Sequence, residues 1–233
     1  MATFTVTGGE DPFLHVSLVK GDRIICESDA MVMMEDPLDL KGQMTGGIAS
    51  SLLRRLTTGE SLFQQSIEAV RGPGDCLLAP TLPGSIELLN VSANNEYCLA
   101  DGVFLAAEAG VSLKGRMQGV GQALLGGTGG FVILEATGIG KLAVNGLGGL
   151  FTLEVVEGKP IKIDNSHVVA WDKRLTYSVG MATARGRSFL GNLVASQTTG
   201  EGMILNFSGN GKVIVCSRNQ KSLLDWITKK ITP

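Results

Sequence analysis

Apolar residues along this chain fall in short runs, and glycine-rich turns separate the runs. Ile24-Ile25-Cys26 is followed by Ala30-Met31-Val32-Met33, Tyr97-Cys98-Leu99-Ala100 by Phe104-Leu105-Ala106-Ala107, and Ile161-Lys162-Ile163 by His167-Val168-Val169-Ala170. Short apolar runs with turn signals at roughly 8–12-residue intervals predict many strands and no long helix. The expectation is an all-β chain of β-sandwich or double-stranded β-helix-like units. Two stretches depart from it. Within Leu38 to Thr57, residues Ile48, Leu52, Leu53 and Leu56 have helical spacing. In the tail, Leu223, Leu224, Ile227 and Ile231 share one face of a helix predicted over 222–231, with Ser222 as N-cap and Asp225 in the first turn. Lys229 and Lys230 close that helix where the dipole favours cations. Two roles are open to it: packing over a sheet face, or docking on a partner or a membrane surface. Two lysines over three turns make a poor membrane anchor.

The turns recur. Thr58-Gly59-Glu60, Thr128-Gly129-Gly130 and Thr199-Gly200-Glu201 are spaced about 70 residues apart, and each precedes an apolar run. A second turn follows each: Gly72-Pro73-Gly74, Gly138-Ile139-Gly140 and Gly209-Asn210-Gly211. Glycine and asparagine there supply positive φ at little cost. An acid closes an earlier run in each third of the chain: Glu27, Asp101 and Asp164. The division is therefore into three pseudo-repeats, about 16–90, 91–153 and 154–217, each of six or so short strands, in a single domain over 1–233.

Composition sharpens this picture. Thirty-two glycines among 233 residues are about twice the average share, and their dispersal fits many tight turns. A net charge of −2 gives no basic field for nucleic acid. Charged residues at 18% are below the usual quarter, and mean hydropathy is +0.22, which fits a chain that buries surface in an oligomer. The cysteines Cys26, Cys76, Cys98 and Cys216 are far apart and read as buried hydrophobes. The first residues carry no basic and apolar signal-peptide pattern, so a cytoplasmic location is expected. Residues 117–134 are uncharged, but their six glycines make a poor membrane span.

Candidate chemistry is sparse. His15 and His167 stand far apart with no H-x-H or H-E pair, so no metal is expected. The bland reading makes both strand residues, with the His167 ring satisfied locally. There is no G-x-S-x-G elbow, and cysteines in apolar runs are not activated. Gly119-Val120-Gly121 lacks the rest of a dinucleotide fingerprint, and Gly126 to Gly130 lacks the lysine of a phosphate loop. What remains is Gly46 to Phe63, where Arg54 and Arg55 precede the Thr58-Gly59-Glu60 turn. A guanidinium fork there could take a phosphate or carboxylate. The structural alternative pairs one arginine with Glu60 or loop carbonyls.

Arg54-Arg55-Leu56-Thr57-Thr58-Gly59-Glu60-Ser61-Leu62-Phe63 followed by Gly72-Pro73-Gly74, with Glu27, Ala30 to Val32 and Met34 upstream, forms a recognisable motif. Asp164-Asn165, His167 to Trp171, Gly200-Glu201-Gly202, Phe207, Gly209, Gly211 and Val213 extend it. The pattern resembles the largely uncharacterised prokaryotic family related to the yeast mitochondrial biogenesis (altered inheritance of mitochondria) protein, over about 16–217. The middle unit departs, with Gly126-Gly127 for the two arginines and Gly130 for the glutamate. The resemblance implies a fold like the tryptophan RNA-binding attenuator protein, association often as trimers, no established reaction, and a link to inner-membrane organisation. The expected function is that of a non-enzymatic β-scaffold, a homo-oligomer with a protein or membrane-associated partner. No cofactor is called for, and nucleic acid is disfavoured. The alternative is a small-ligand or anion binder using Arg54, Arg55, Thr58 and Glu60.

Overall fold

The computed structural model describes residues 1–44, 63–118, 131–181 and 203–231. Among them the chain is all-β with one short C-terminal helix. The helical run expected around Ile48 to Leu56 lies outside the described residues, as does most of 117–134.

The first strands are β1 (Thr3–Val6), β2 (Leu14–Leu18), β3 (Arg23–Glu27), β4 (Met31–Met34), β5 (Leu38–Met44), β6 (Phe63–Ala69) and β7 (Gly74–Leu78). Next come β8 (Gly84–Val91), β9 (Tyr97–Leu99), β10 (Phe104–Glu108), β11 (Val111–Gln118), β12 (Phe131–Gly138) and β13 (Gly140–Leu147). The last are β14 (Leu150–Val155), β15 (Ile161–Asp164), β16 (Val168–Asp172), β17 (Thr176–Met181), β18 (Met203–Ser208) and β19 (Gly211–Cys216). A 3-10 turn spans Asn165–His167, and helix α1 spans Gln220–Ile231.

Four sheets result, with strand orders β1-β2-β7-β4, β5-β6-β3-β10-β13-β8, β11-β12-β9-β16-β19-β14 and β15-β18-β17. All the strand pairs in them are antiparallel. Strands β2–β7, β8–β13 and β14–β19 pair alike. In each set of six, the first joins the sixth and the sixth joins the third; the second joins the fifth and the fifth joins the fourth. The third strand carries a register shift against the sixth every time, between Met31 and Met33, Phe104 and Ala106, and Val168 and Ala170. Successive sets are sewn together where β3 pairs β10 and β9 pairs β16.

Three apolar cores fill the spaces between successive sheets. Alternation assigns each strand face to a core. On β2, Leu14, Val16 and Leu18 point in while His15 and Ser17 stay half-exposed. Strands β10 and β16 are buried at every position, because a core lies on each side of their sheets. Leu105 and Ala106 of β10 serve the first core, and Phe104 and Ala107 the second. In β16, Val169 and Ala170 serve the second core and Trp171 the third.

Candidate functional site

Arg54, Arg55, Thr58 and Glu60 lie outside the described residues. The other candidates resolve into structural roles. All four cysteines are buried thiols. Burial pushes Cys26 and Cys76 up to about 12 and Cys98 to about 11, so none is an activated nucleophile. His15 on β2 sits 3.2 Å from the Asp75 carboxylate on the neighbouring strand, half-exposed. Among the described residues no three His, Cys, Asp or Glu side chains gather as a metal site.

Three acids, of which Glu108 and Asp172 are buried, serve the backbone. Glu35 directly follows the third strand of the first set, and Glu108 and Asp172 end the third strands of the other two. Each accepts the main-chain N–H of the residue after a glycine at the start of the sixth: Asp75 at 3.0 Å, Lys141 at 2.6 Å and Lys212 at 2.8 Å. Those glycines, Gly74, Gly140 and Gly211, close the three turns noted in the sequence. A Cβ on them would stand 3.3, 2.9 and 2.7 Å from the accepting carboxylate oxygen. The glycines were visible in the sequence; the acids, 32 to 39 residues upstream, were not.

The acids that end runs of the second strands have different fates. Asp164 caps the 3-10 turn, its Oδ1 accepting from the Ser166 N–H at 2.9 Å. Burial first, then the neighbouring Asp101 and Asp29, raises Glu27 from 4.5 to about 7. The folded state therefore holds this proton more tightly than the unfolded chain. The stability it supports is full below about pH 4.5 and falls as pH rises through 7. Solvent screening of a half-buried group reduces the effect to about 1 kcal/mol. Glu27→Gln should accordingly flatten the decline in urea midpoint between pH 5 and pH 8; an unchanged decline would refute the assignment.

At the other end of the molecule a hydrogen-bonded chain fixes the root of α1. His167 Nδ1 lies 2.7 Å from the Cys216 carbonyl, which can only accept, so Nδ1 carries the proton. Nε2 then accepts from the Asn219 amide at 3.2 Å, and Asn219 Oδ1 accepts the Ser222 N–H at 2.7 Å. Asn219, not Ser222, is the N-cap, so the helix begins two residues earlier than the sequence predicts. The signal was hidden because Asn219 is oriented by a histidine 52 residues upstream. The reading of His167 as locally satisfied holds, though on a 3-10 turn and not in a strand.

Beside this root lies a cavity of about 270 Å³ with a mixed lining, in which Asp101, Asn145, Ser166, Arg218 and Gln220 stand among apolar residues. Asn145 is buried and its Oδ1 has no hydrogen-bond partner. The Ser166 hydroxyl on the cavity wall donates to Asp164 Oδ1 at 2.7 Å.

Beyond its root, α1 has no buried residue among those whose burial is described. Leu223 and Ile227 are half-buried, whereas Leu224, Trp226 and Ile231 are 52, 62 and 74% exposed. The helix thus covers only part of its apolar face. Trp226, which the sequence reading passed over, adds the largest apolar surface. No described helix is long and apolar enough to cross a membrane.

Comparison with known proteins agrees with the fold. The family model described as mitochondrial biogenesis AIM24 matches residues 4–218, ending just before α1. An uncharacterised protein of Streptococcus pyogenes serotype M6 is 31% identical over 214 residues, covering 89% of this chain and 82% of its own length. The crystal structure of a Streptococcus pyogenes protein superposes with a TM-score of 0.81 at 26% identity, covering 99% of this chain and all of that one. The same family the repeated turns and buried strands resemble is the one matched: the chain belongs to the mitochondrial biogenesis AIM24 family.

Proposed function

We propose that this chain is a non-enzymatic cytoplasmic β-scaffold, built from three copies of one six-strand unit, that self-associates and presents α1 to a protein partner. The observation that carries the reading is the exposure of Leu224, Trp226 and Ile231 on a helix tied down only at its root. Leu224 and Ile231, seven residues apart, share one side of the helix, and each gains roughly 1.5–3 kcal/mol on full burial, so a groove that takes both would bind firmly. Tryptophan is also enriched among residues that dominate interface energies. The helix carries Lys221, Lys229 and Lys230 against Asp225, in a chain of net charge −2. The partner is therefore a protein with an apolar groove and an acidic rim, engaged as a helix in a groove. The trimeric association implied by the family resemblance belongs to this same reading.

The test is affinity purification from the native cell with wild-type bait beside Leu224→Glu/Trp226→Glu bait. A protein retained by the wild type, lost by the variant, and rebinding in purified form supports the reading. Identical recoveries from both baits overturn it, as does α1-dependent flotation with lipid vesicles in place of a protein partner.

A further inference from the structure

We propose that the cavity beside the root of α1 binds a small aliphatic α-amino acid, its carboxylate on Arg218 and its ammonium among Asp101, Ser166 and Asn145. The sheets themselves require no polar side chain here. Asn145 stands five places after the glycine that opens its strand, and the matching residues of the other two sets are Ala79 and Cys216. The main chain does the same work at Ala79 and Asn145. The Ala79 N–H donates to the Ala30 carbonyl, and the Asn145 N–H to the Val103 carbonyl, both at 2.8 Å. An alanine therefore meets the backbone requirement. Yet Asn145 is 7% exposed and its Oδ1 is buried without a partner. A buried acceptor in that state costs stability unless a donor reaches it.

Two opposite charges share this cavity. Asp101 stands in the turn between β9 and β10, and Arg218 just past the end of β19. Among the described residues neither has an ion-pair partner, and they do not pair with each other. The fold makes room for the arginine. Its N–H donates to the Leu147 carbonyl at 3.2 Å, and its stem lies over Gly148, where a Cβ would stand 3.2 Å from Arg218 Cγ. The Ser166 hydroxyl gives its hydrogen to Asp164, which leaves its oxygen to accept.

Ligand chemistry follows from this inventory. Asp101, Ser166 and Asn145 are three acceptors, and a primary ammonium has three N–H donors. A guanidinium matches a carboxylate in a two-bond fork. A carboxylate or phosphate alone would satisfy Arg218 and bring no opposite charge for Asp101. Leu82, Val132 and Leu147 line the same space and give an aliphatic side chain a wall. At about 270 Å³ the cavity lies just below the usual range for drug-sized ligands, which suits an amino acid. Arg218 and Gln220 flank Asn219, the cap of α1, so a bound amino acid would tie the helix root to the β9–β10 turn. The site stands whether or not α1 docks on a protein.

Isothermal titration calorimetry of the full chain with L-leucine is the test. Two analogues accompany it: 4-methylpentanoate, which lacks the ammonium, and 3-methylbutylamine, which lacks the carboxylate. L-Leucine should bind saturably and roughly tenfold or more tightly than either, the effect of one charge-assisted contact. Asp101→Asn should weaken L-leucine by about the same factor and leave the weaker binding of 4-methylpentanoate unchanged. Arg218→Gln should likewise weaken L-leucine and spare 3-methylbutylamine. Both side chains are exposed, so both variants should keep the wild-type circular dichroism spectrum. No binding heat from L-leucine, L-valine, L-alanine or L-methionine overturns the site. Binding that neither substitution alters overturns its location. Equal affinities for L-leucine and 4-methylpentanoate overturn the amino-acid assignment.

Discussion

Gly84→Ala should abolish folding or lower stability by more than about 4 kcal/mol, the range reserved for a forced backbone collision. Gly84 opens β8 where that strand meets the end of β13. A Cβ there would fall inside van der Waals contact of the Gly146 carbonyl oxygen and stand 2.6 Å from the Gly148 nitrogen. Neither atom is the tip of a flexible side chain. Relief requires moving the β8–β13 ladder, which closes one edge of the second sheet, and with it Ile86 of the first core and Leu89 of the second. Gly149→Ala is the matched control. Its added Cβ meets only the Ser217 hydroxyl at 3.8 Å, an ordinary contact. Urea unfolding followed by circular dichroism should find the control near wild type; a Gly84→Ala midpoint close to the control's would sink the account.

Trp171→Ala should cost about 3–5 kcal/mol, the usual penalty for emptying a large aromatic site in a core. Trp171 is 1% exposed and is the largest fully buried side chain. Its ring meets Tyr177 edge-on at 5.4 Å and Phe207 at 5.7 Å, an arrangement that adds to simple burial. Its Nε1 is buried with no hydrogen-bond partner. That orphaned donor works against the native state, so Trp171→Phe removes a cost while giving up only part of the packing. The phenylalanine variant should lie within about 1.5 kcal/mol of wild type, as a volume-reducing but apolar replacement. Equal losses for alanine and phenylalanine would show that the indole N–H, and not ring packing, carries the site.

Strands and turns were legible because they depend on neighbours in sequence. Gly138-Ile139-Gly140 and Gly209-Asn210-Gly211 announce turns through chemistry that acts over three residues. The all-β class followed from them. Sheet order was not legible, since nothing local in Ile24-Ile25-Cys26 says that its partner is Ala106-Ala107. The carboxylate-to-glycine contacts escaped for the same reason: Asp172 and Gly211 meet only once β16 and β19 are side by side. The tail helix was legible from its period, but its start was not, because the cap depends on His167. Its exposure escaped too, since amphipathic spacing reads the same whether a helix faces its own sheet or another molecule. Of the candidate site, Arg54, Arg55, Thr58 and Glu60 fall outside the described residues, while the exposed tryptophan entered only with the fold.

The double-sided burial of β10 and β16 has a consequence for the order in which the molecule opens. Releasing an amide hydrogen from either strand to solvent means parting two cores at once, whereas an edge strand such as β14 frees its outer amides by fraying. In native-state hydrogen exchange the amides of Leu105 to Ala107 and Val169 to Trp171 should be the last to acquire deuterium, at the free energy of global unfolding. Those of α1, a lone helix of 12 residues with no fully buried side chain among those whose burial is described, should exchange earliest and mark where the fold gives way first.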